Sequence, residues 1–77
     1  MDISMPKSFL VTATWDAEAR VFTSQSDIPG LVIEAGTFEE FVELVRALAP
    51  EVIAANLPTA HGPHKLRIET RFDLAVA

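Results

Sequence analysis

The fold of this chain is decided by residues 24–37, Ser-Gln-Ser-Asp-Ile-Pro-Gly-Leu-Val-Ile-Glu-Ala-Gly-Thr. This stretch predicts the end of one strand, a tight turn, a short apolar strand over Leu31–Ala35 and a helix cap. Pro29 restricts the residue before it to an extended conformation, and Gly30 can adopt the positive φ that a type II turn requires. We expect the Asp27 carboxylate to accept backbone N–H bonds within this turn.

A long amphipathic helix is predicted after the short strand. Thr37 is the expected N-cap, and Glu40 stands three residues later, so the pair predicts a capping box. We expect the helix to run from Phe38 to about Ala55 and to kink at Pro50, because its apolar face keeps its phase across that residue. At roughly 100° per residue this face is formed by Phe38, Phe41, Val42, Val45, Leu48, Ala49, Val52 and Ile53.

Strands are predicted on both sides of this central region. Ser8–Trp15 is rich in aromatic and β-branched residues, and Asp16–Ala19 suits a type I turn into a return strand over Arg20–Ser26. In the first strand Phe9, Val11, Ala13 and Trp15 share one side, which leaves Leu10 on the other. Lys65–Val76 alternates throughout: one side carries Leu66, Ile68, Thr70, Phe72, Leu74 and Val76, and the other carries Lys65, Arg67, Glu69, Arg71 and Asp73.

The element order β-β-β-α-β predicts an α+β fold, a two-layer sandwich with one helix packed on a small mixed sheet. A right-handed crossover would place the last strand beside the first and parallel to it. With 77 residues and 49% hydrophobic content, a single domain over residues 1–77 is expected. There is no cysteine, so disulfides and thiolate metal sites are excluded.

The charge balance bears on partners and on location. Eleven acidic and six basic residues give a net charge of −5, which disfavours nonspecific binding to a phosphate backbone and would suit a basic protein partner. The chain has no apolar run long enough to span a membrane and no secretory leader, so we expect a cytoplasmic protein that makes no membrane contact.

The sequence shows no site chemistry above background, and we expect no enzyme, cofactor or metal site. His61 and His64 lack a nearby third ligand and are expected to be solvated loop residues. Ser24 and Ser26 lie near the turn and are expected to be structural. The acidic residues Asp16, Asp27 and Glu34 fall in two turns and a short strand, with nothing to bring them together.

The turn Ser26–Leu31 followed by Gly36–Glu40 and an amphipathic helix resembles the HicB-like antitoxin fold, whose members carry a D-[LI]-P-G-[CL] turn and a G-x-T-x-x-E helix start. The similarity covers about Phe9 to Asn56. Trp15-Asp16 and Pro50-Glu51 look closer to a branch of short uncharacterised prokaryotic HicB-like domains of unknown function. The resemblance implies a truncated ribonuclease-H-like unit without catalytic carboxylates.

The resemblance also implies a role. HicB-like antitoxins neutralise a small basic ribonuclease toxin by covering it, so we expect a non-catalytic protein-interaction module of a toxin–antitoxin pair. Many carry a C-terminal DNA-binding module, which has no counterpart in these 77 residues, so direct nucleic-acid binding is not expected. The alternative is a stand-alone homo-oligomeric or small-ligand-binding protein with no toxin partner.

A homodimer is the expected assembly. One helix covers one face of a four-stranded sheet, yet the first three strands carry apolar residues on both sides. Leu10 is left on the open side, and the same parity leaves either Leu31 and Ile33 or Val32 there.

Overall fold

The fold is α+β, with one helix packed on a four-stranded mixed sheet; the computed structural model describes residues 8–60 and 63–76. The predicted element order β-β-β-α-β is confirmed. The elements are β1 (Ser8–Asp16), β2 (Val21–Ser26), β3 (Glu34–Ala35), α1 (Phe38–Asn56) and β4 (Lys65–Arg71).

The strands lie in the spatial order β3-β2-β1-β4, so β3 and β4 form the two edges. β1 pairs antiparallel with β2 and parallel with β4, and β2 pairs antiparallel with β3. The prediction that the last strand lies beside the first and parallel to it is therefore confirmed.

The β1–β2 hairpin turns over residues 17–20, and its geometry depends on Asp16. The Asp16 Oδ1 atom accepts hydrogen bonds from the backbone amides of Glu18 at 3.1 Å and Ala19 at 3.3 Å. Arg20 closes the turn at a φ of 58°, a left-handed conformation that cannot continue a strand. The predicted start of the return strand at Arg20 is therefore wrong, and β2 begins at Val21.

β3 is shorter than the predicted strand over Leu31–Ala35. The Ser24 hydroxyl accepts the Ile33 amide at 2.8 Å, while the Ser24 amide donates to the Ile33 carbonyl at 3.0 Å. A side chain thus replaces one backbone partner, which breaks the regular ladder before Glu34. Leu31 and Ile33 are nevertheless buried.

The turn before β3 closes through a hydrogen bond of 3.2 Å from the Leu31 amide to the Ile28 carbonyl. Pro29 and Gly30 are its central residues, and Gly30 has a φ of 85°, as a type II turn requires at that position. A Cβ atom on Gly30 would also lie 3.0 Å from the Nδ2 atom of Asn56, at the end of α1. The turn therefore packs against the last turn of the helix.

The helix begins where the sequence predicts it and ends one residue later. The Thr37 hydroxyl accepts the Glu40 amide at 3.1 Å, but the reciprocal bond of the capping box, from the Thr37 amide to the Glu40 carboxylate, is not formed between these two residues. α1 runs continuously through Pro50 to Asn56.

The core lies between α1 and the sheet. On the helix, the buried stripe is Phe41, Val45, Ala49 and Ile53, at a spacing of four residues. Four residues that we expected in the apolar face are only half-buried: Phe38, Val42, Leu48 and Val52. Of these, Phe38, Leu48 and Val52 pack against the edge of the core. The core stripe is therefore narrower than the predicted face.

Candidate interaction surface

The face of the sheet turned away from α1, here called the polar face, carries mainly polar and charged side chains. Because residues paired directly across a ladder point to the same side, Leu10 shares this face with Arg67, and Thr12 shares it with Glu69. Leu10 is 38% exposed. The expectation that Leu10 is left on the open side is therefore confirmed, although its neighbours on this face are mostly polar or charged. Val32, the other apolar residue expected there, is 80% exposed just before β3.

Asp27 lies at one corner of this surface and connects the turn to β1. Its Oδ1 atom accepts the Leu10 amide at 3.0 Å, and its own amide donates to the Leu10 carbonyl at 3.3 Å. The local bonds within the turn are made by Ser26 instead, whose hydroxyl accepts the Ile28 amide at 3.3 Å. The expectation that Asp27 bonds within the turn is wrong, because its carboxylate points across to the first strand.

β4 ends at Arg71, so the predicted strand as far as Val76 is wrong. Arg71 pairs with Thr14, two residues before β1 itself ends, so the neighbouring strand offers almost no further backbone partners. Residues 72–76, here called the C-terminal segment, continue past the sheet. Their apolar side chains are exposed: Phe72 by 52%, Leu74 by 74% and Val76 by 81%.

A groove of about 310 Å³ lies between α1 and β4 and is here called the α1/β4 groove. It is present because the helix covers β1 more completely than β4: Val11 is fully buried, whereas its β4 neighbour Ile68 is half-buried. The walls are mainly apolar, with Val42, Ala49, Pro50, His64, Leu66 and Ile68 among the lining residues.

His64 lies at the end of the α1/β4 groove and packs against the core, not in solvent as expected. Its ring meets the Phe9 ring edge to face, with centroids 5.6 Å apart. The Nδ1 atom is buried and has no hydrogen-bond partner within residues 8–60 and 63–76. His61, its predicted loop neighbour, lies outside the described residues.

The outer face of α1 carries a concentration of negative charge. Four exposed glutamates lie on it, accompanied by a single exposed cation, Arg46. We call this surface the acidic helix face; its glutamates are Glu39, Glu40, Glu43 and Glu51. β4 has the opposite balance, with Lys65, Arg67 and Arg71 against Glu69. The outer face of α1 is thus strongly acidic, with four glutamates against one arginine, while β4 is net basic.

The acidic residues considered from the sequence do not come together. Asp16 and Asp27 lie at opposite ends of β1, about 20 Å apart for six residues of strand, and Glu34 lies on β3 opposite Thr23. No group of three metal-ligating side chains is present in the described part of the chain. Ser24 and Ser26 both make the structural hydrogen bonds expected of them.

Two features of this surface were missed from the sequence. The bond between Asp27 and Leu10 joins residues 17 positions apart, and no local pattern indicates it. The end of β4 did have a signal, because the predicted last strand was much longer than the first strand, beside which it had to pair.

Among the residues described, no helix is long and apolar enough to cross a membrane.

Comparison with known proteins identifies relatives of the chain. The protein-family model for DUF1902, a domain of unknown function, matches residues 8–76. A solved structure, the crystal structure of a hypothetical protein from the extremely thermophilic bacterium Thermus thermophilus, is similar with a TM-score of 0.78 and 35% sequence identity. The similarity covers 91% of this chain and 100% of that one. No curated protein matches the chain.

Proposed function

We propose that this chain, which belongs to the DUF1902 family of domains of unknown function, is a non-catalytic module. Its proposed role is to bind a small basic protein. The observation that carries the proposal is the acidic helix face. Its four glutamates are exposed, and the only cation beside them on the outer surface of α1 is Arg46.

Such a charge distribution favours one class of partner. A surface of one sign attracts a partner of the opposite sign, accelerates their encounter and disfavours partners of like charge. The helix is also a rigid platform, because Phe41, Val45, Ala49 and Ile53 fix its inner side in the core. A basic protein could therefore dock on the outer side without any rearrangement of the fold.

The resemblance to HicB-like antitoxins supports a more specific partner, a small basic ribonuclease toxin that this chain would neutralise by covering it. The residues behind that resemblance are the Asp-Ile-Pro-Gly-Leu turn and the Gly-Thr-Phe-Glu-Glu helix start. The second of these motifs contributes Glu39 and Glu40 to the acidic helix face.

The proposal is tested with the products of short basic reading frames that neighbour the gene. We expect one of them to arrest growth when expressed alone, and co-expression of this chain to restore growth. In the purified pair, Glu39→Lys combined with Glu43→Lys should raise the dissociation constant at least about tenfold. The matched control is Glu18→Lys combined with Glu34→Lys, which changes the net charge equally away from α1 and should have a much smaller effect.

Two results would contradict the proposal. One is that no neighbouring basic protein binds the purified chain. The other is that the helix double variant and its control weaken binding equally, since the acidic helix face would then have no special part in recognition.

A non-catalytic role also predicts that the purified chain leaves RNA intact in the presence of magnesium or manganese. Two-metal cleavage needs carboxylates that share a pair of ions about 4 Å apart, whereas Asp16 and Asp27 lie at opposite ends of β1. Incubation with labelled RNA and gel analysis provides the measurement. Metal-dependent cleavage that disappeared in Asp16→Asn or Asp27→Asn would overturn the non-catalytic assignment.

A second candidate function is a stand-alone homo-oligomer with no toxin partner. The observation that favours it is the exposed C-terminal segment, whose apolar side chains lie next to an edge of the sheet. This candidate predicts self-association in the absence of any other protein. Self-association through this segment would use a different surface from the acidic helix face, so what separates the two candidates is whether a basic partner binds.

A further inference from the structure

We propose that two copies of this chain pair antiparallel along β4 around a two-fold axis, with Thr70 opposite the partner's Thr70. In this arrangement each C-terminal segment lies along the partner's β4 and covers the partner's α1/β4 groove. The inference deepens the second candidate function, the homo-oligomer. It does not depend on binding of a basic protein, because neither the acidic helix face nor a toxin takes part in it.

The edge of β4 is suited to such pairing. β4 is the outermost strand of the sheet, and within residues 8–60 and 63–76 no other strand lies beside its outer edge. An edge strand presents backbone N–H and C=O groups that can pair with a second chain. The opposite edge is less suitable, since β3 has only two residues.

The apolar pattern of the C-terminal segment matches the groove. In the proposed register Phe72 lies opposite the partner's Ile68, and Leu74 lies opposite the partner's Leu66. Leu66 and Ile68 line the α1/β4 groove and point to the helix side of the sheet. The exposed side chains of the segment would therefore be buried under the partner's helix. A slip of one residue would turn all of them to the polar face.

Registers shifted by two residues would also keep the apolar side chains on the helix side of the sheet, but the charges favour the proposed register over them. On the polar face it places Arg71 opposite the partner's Glu69, and Asp73 opposite the partner's Arg67. A two-residue slip in one direction brings Arg71 opposite the partner's Arg71. A slip in the other direction brings Glu69 opposite the partner's Glu69. Like charges directly opposite each other destabilise a strand pair, so both slips are disfavoured.

The charge pairs give a sharp test with two single variants, Asp73→Arg and Arg67→Asp. Each variant alone places like charges opposite each other at both symmetry-related pairs. Each homodimer should therefore dissociate at about tenfold higher concentration than the parent in sedimentation equilibrium. An equal mixture of the two variants restores opposite charges at both pairs. The mixture should therefore form a heterodimer with near-parental affinity, which native mass spectrometry identifies by its mass.

A second pair of variants tests the apolar contact. Leu74→Ser should weaken the dimer, because Leu74 is 74% exposed in the single chain and would be buried by the partner. Val32→Ser is the matched control, as Val32 is 80% exposed but lies at the opposite edge of the sheet. Neither substitution touches the buried core, so both variants should fold.

Three outcomes would overturn the inference. The first is a parent chain with the mass of a monomer at all concentrations up to about 100 μM. The second is a mixture of Asp73→Arg and Arg67→Asp that associates no better than either variant alone. The third is a dimer that Glu34→Arg, on β3, weakens as much as Asp73→Arg does. None of these outcomes bears on binding of a basic protein to the acidic helix face, so the two proposals can fail separately.

Discussion

Asp27 is the residue that fixes where the Pro-Gly turn lies relative to the first strand. Its carboxylate accepts the Leu10 amide at 3.0 Å, at a site exposed to solvent. Since the amide can bond to water when the carboxylate is lost, we expect Asp27→Ala to lower the free energy of unfolding by only about 1 kcal/mol. Asp27→Asn should cost less, because the amide side chain retains an acceptor oxygen. Urea unfolding measures the free energy of unfolding of both Asp27 variants. Glu34→Ala is the control and should leave that free energy nearly unchanged. Equal losses in all three variants would contradict the role assigned to Asp27.

Gly30 is the residue whose backbone conformation is hardest to replace. At a φ of 85° a side chain adds about 1–2 kcal/mol of strain, and the new Cβ atom would also lie 3.0 Å from Nδ2 of Asn56. We therefore expect Gly30→Ala to destabilise the protein by at least about 1 kcal/mol. Gly36→Ala is the matched control, because nothing lies within 4 Å of a Cβ atom there. Chemical denaturation gives the free energy of unfolding of both variants. If Gly36→Ala lowered it as much as Gly30→Ala does, a side chain at Gly30 would not strain the turn.

At the scale of the elements, α1 rests on a single stripe of side chains. Phe41 is fully buried, whereas Phe38 is half-buried at the edge of an aromatic cluster, with its ring centroid 6.0 Å from that of Phe22. We expect Phe41→Ala to cost about 3–5 kcal/mol, and Phe38→Ala to cost clearly less because water already reaches its ring. Thermal melts of the two variants give the comparison. If Phe38→Ala lowered the melting temperature more than Phe41→Ala, the buried side of α1 would be centred on a different set of residues.

The elements also show how far the sequence could predict this structure. Periodicity predicted β1 and α1, because each carries a regular apolar pattern over many residues. The right-handed crossover rule predicted the parallel position of β4 beside β1. The limits of β2 and β3 could not be predicted in the same way, and the end of β4 was indicated only by the shorter first strand beside it. They depend on the left-handed φ of Arg20, on the Ser24 hydroxyl replacing a backbone acceptor, and on the place where β1 ends.

The candidate surface was predicted less well than the fold, for a physical reason. The alternation in Lys65–Val76 is compatible with a strand paired within one chain and equally with a strand that extends past its own sheet. Only the length of β1 distinguishes these arrangements. The glutamates of the acidic helix face were visible in the sequence, but their concentration on one layer depends on which side of α1 is buried.

For the whole molecule, the fold leaves one apolar surface in two parts that match each other. The C-terminal segment exposes Phe72, Leu74 and Val76, while the α1/β4 groove exposes parts of Leu66 and Ile68. Within one chain the segment follows Leu66 and Ile68 along the direction of β4. The chain would have to turn back on itself for the segment to reach its own groove. A second copy, antiparallel to the first, solves this geometric problem without any change in the fold.

If the two copies stabilise each other in this way, resistance to heat must depend on protein concentration. For a folded dimer that unfolds to separate chains, a roughly hundredfold rise in concentration adds about 1.4 kcal/mol of stability per chain. In a domain of this size that should raise the melting temperature by about 5–10 °C. Trp15, the only tryptophan, lies 5.7 Å from the Phe72 ring and provides a fluorescence signal at the base of the C-terminal segment. A chain truncated after Arg71 is the control: losing the Phe72 contact should lower its melting temperature, but that temperature should no longer depend on concentration. A parent chain whose melting temperature is constant over the same range would show that the segment stabilises no second copy.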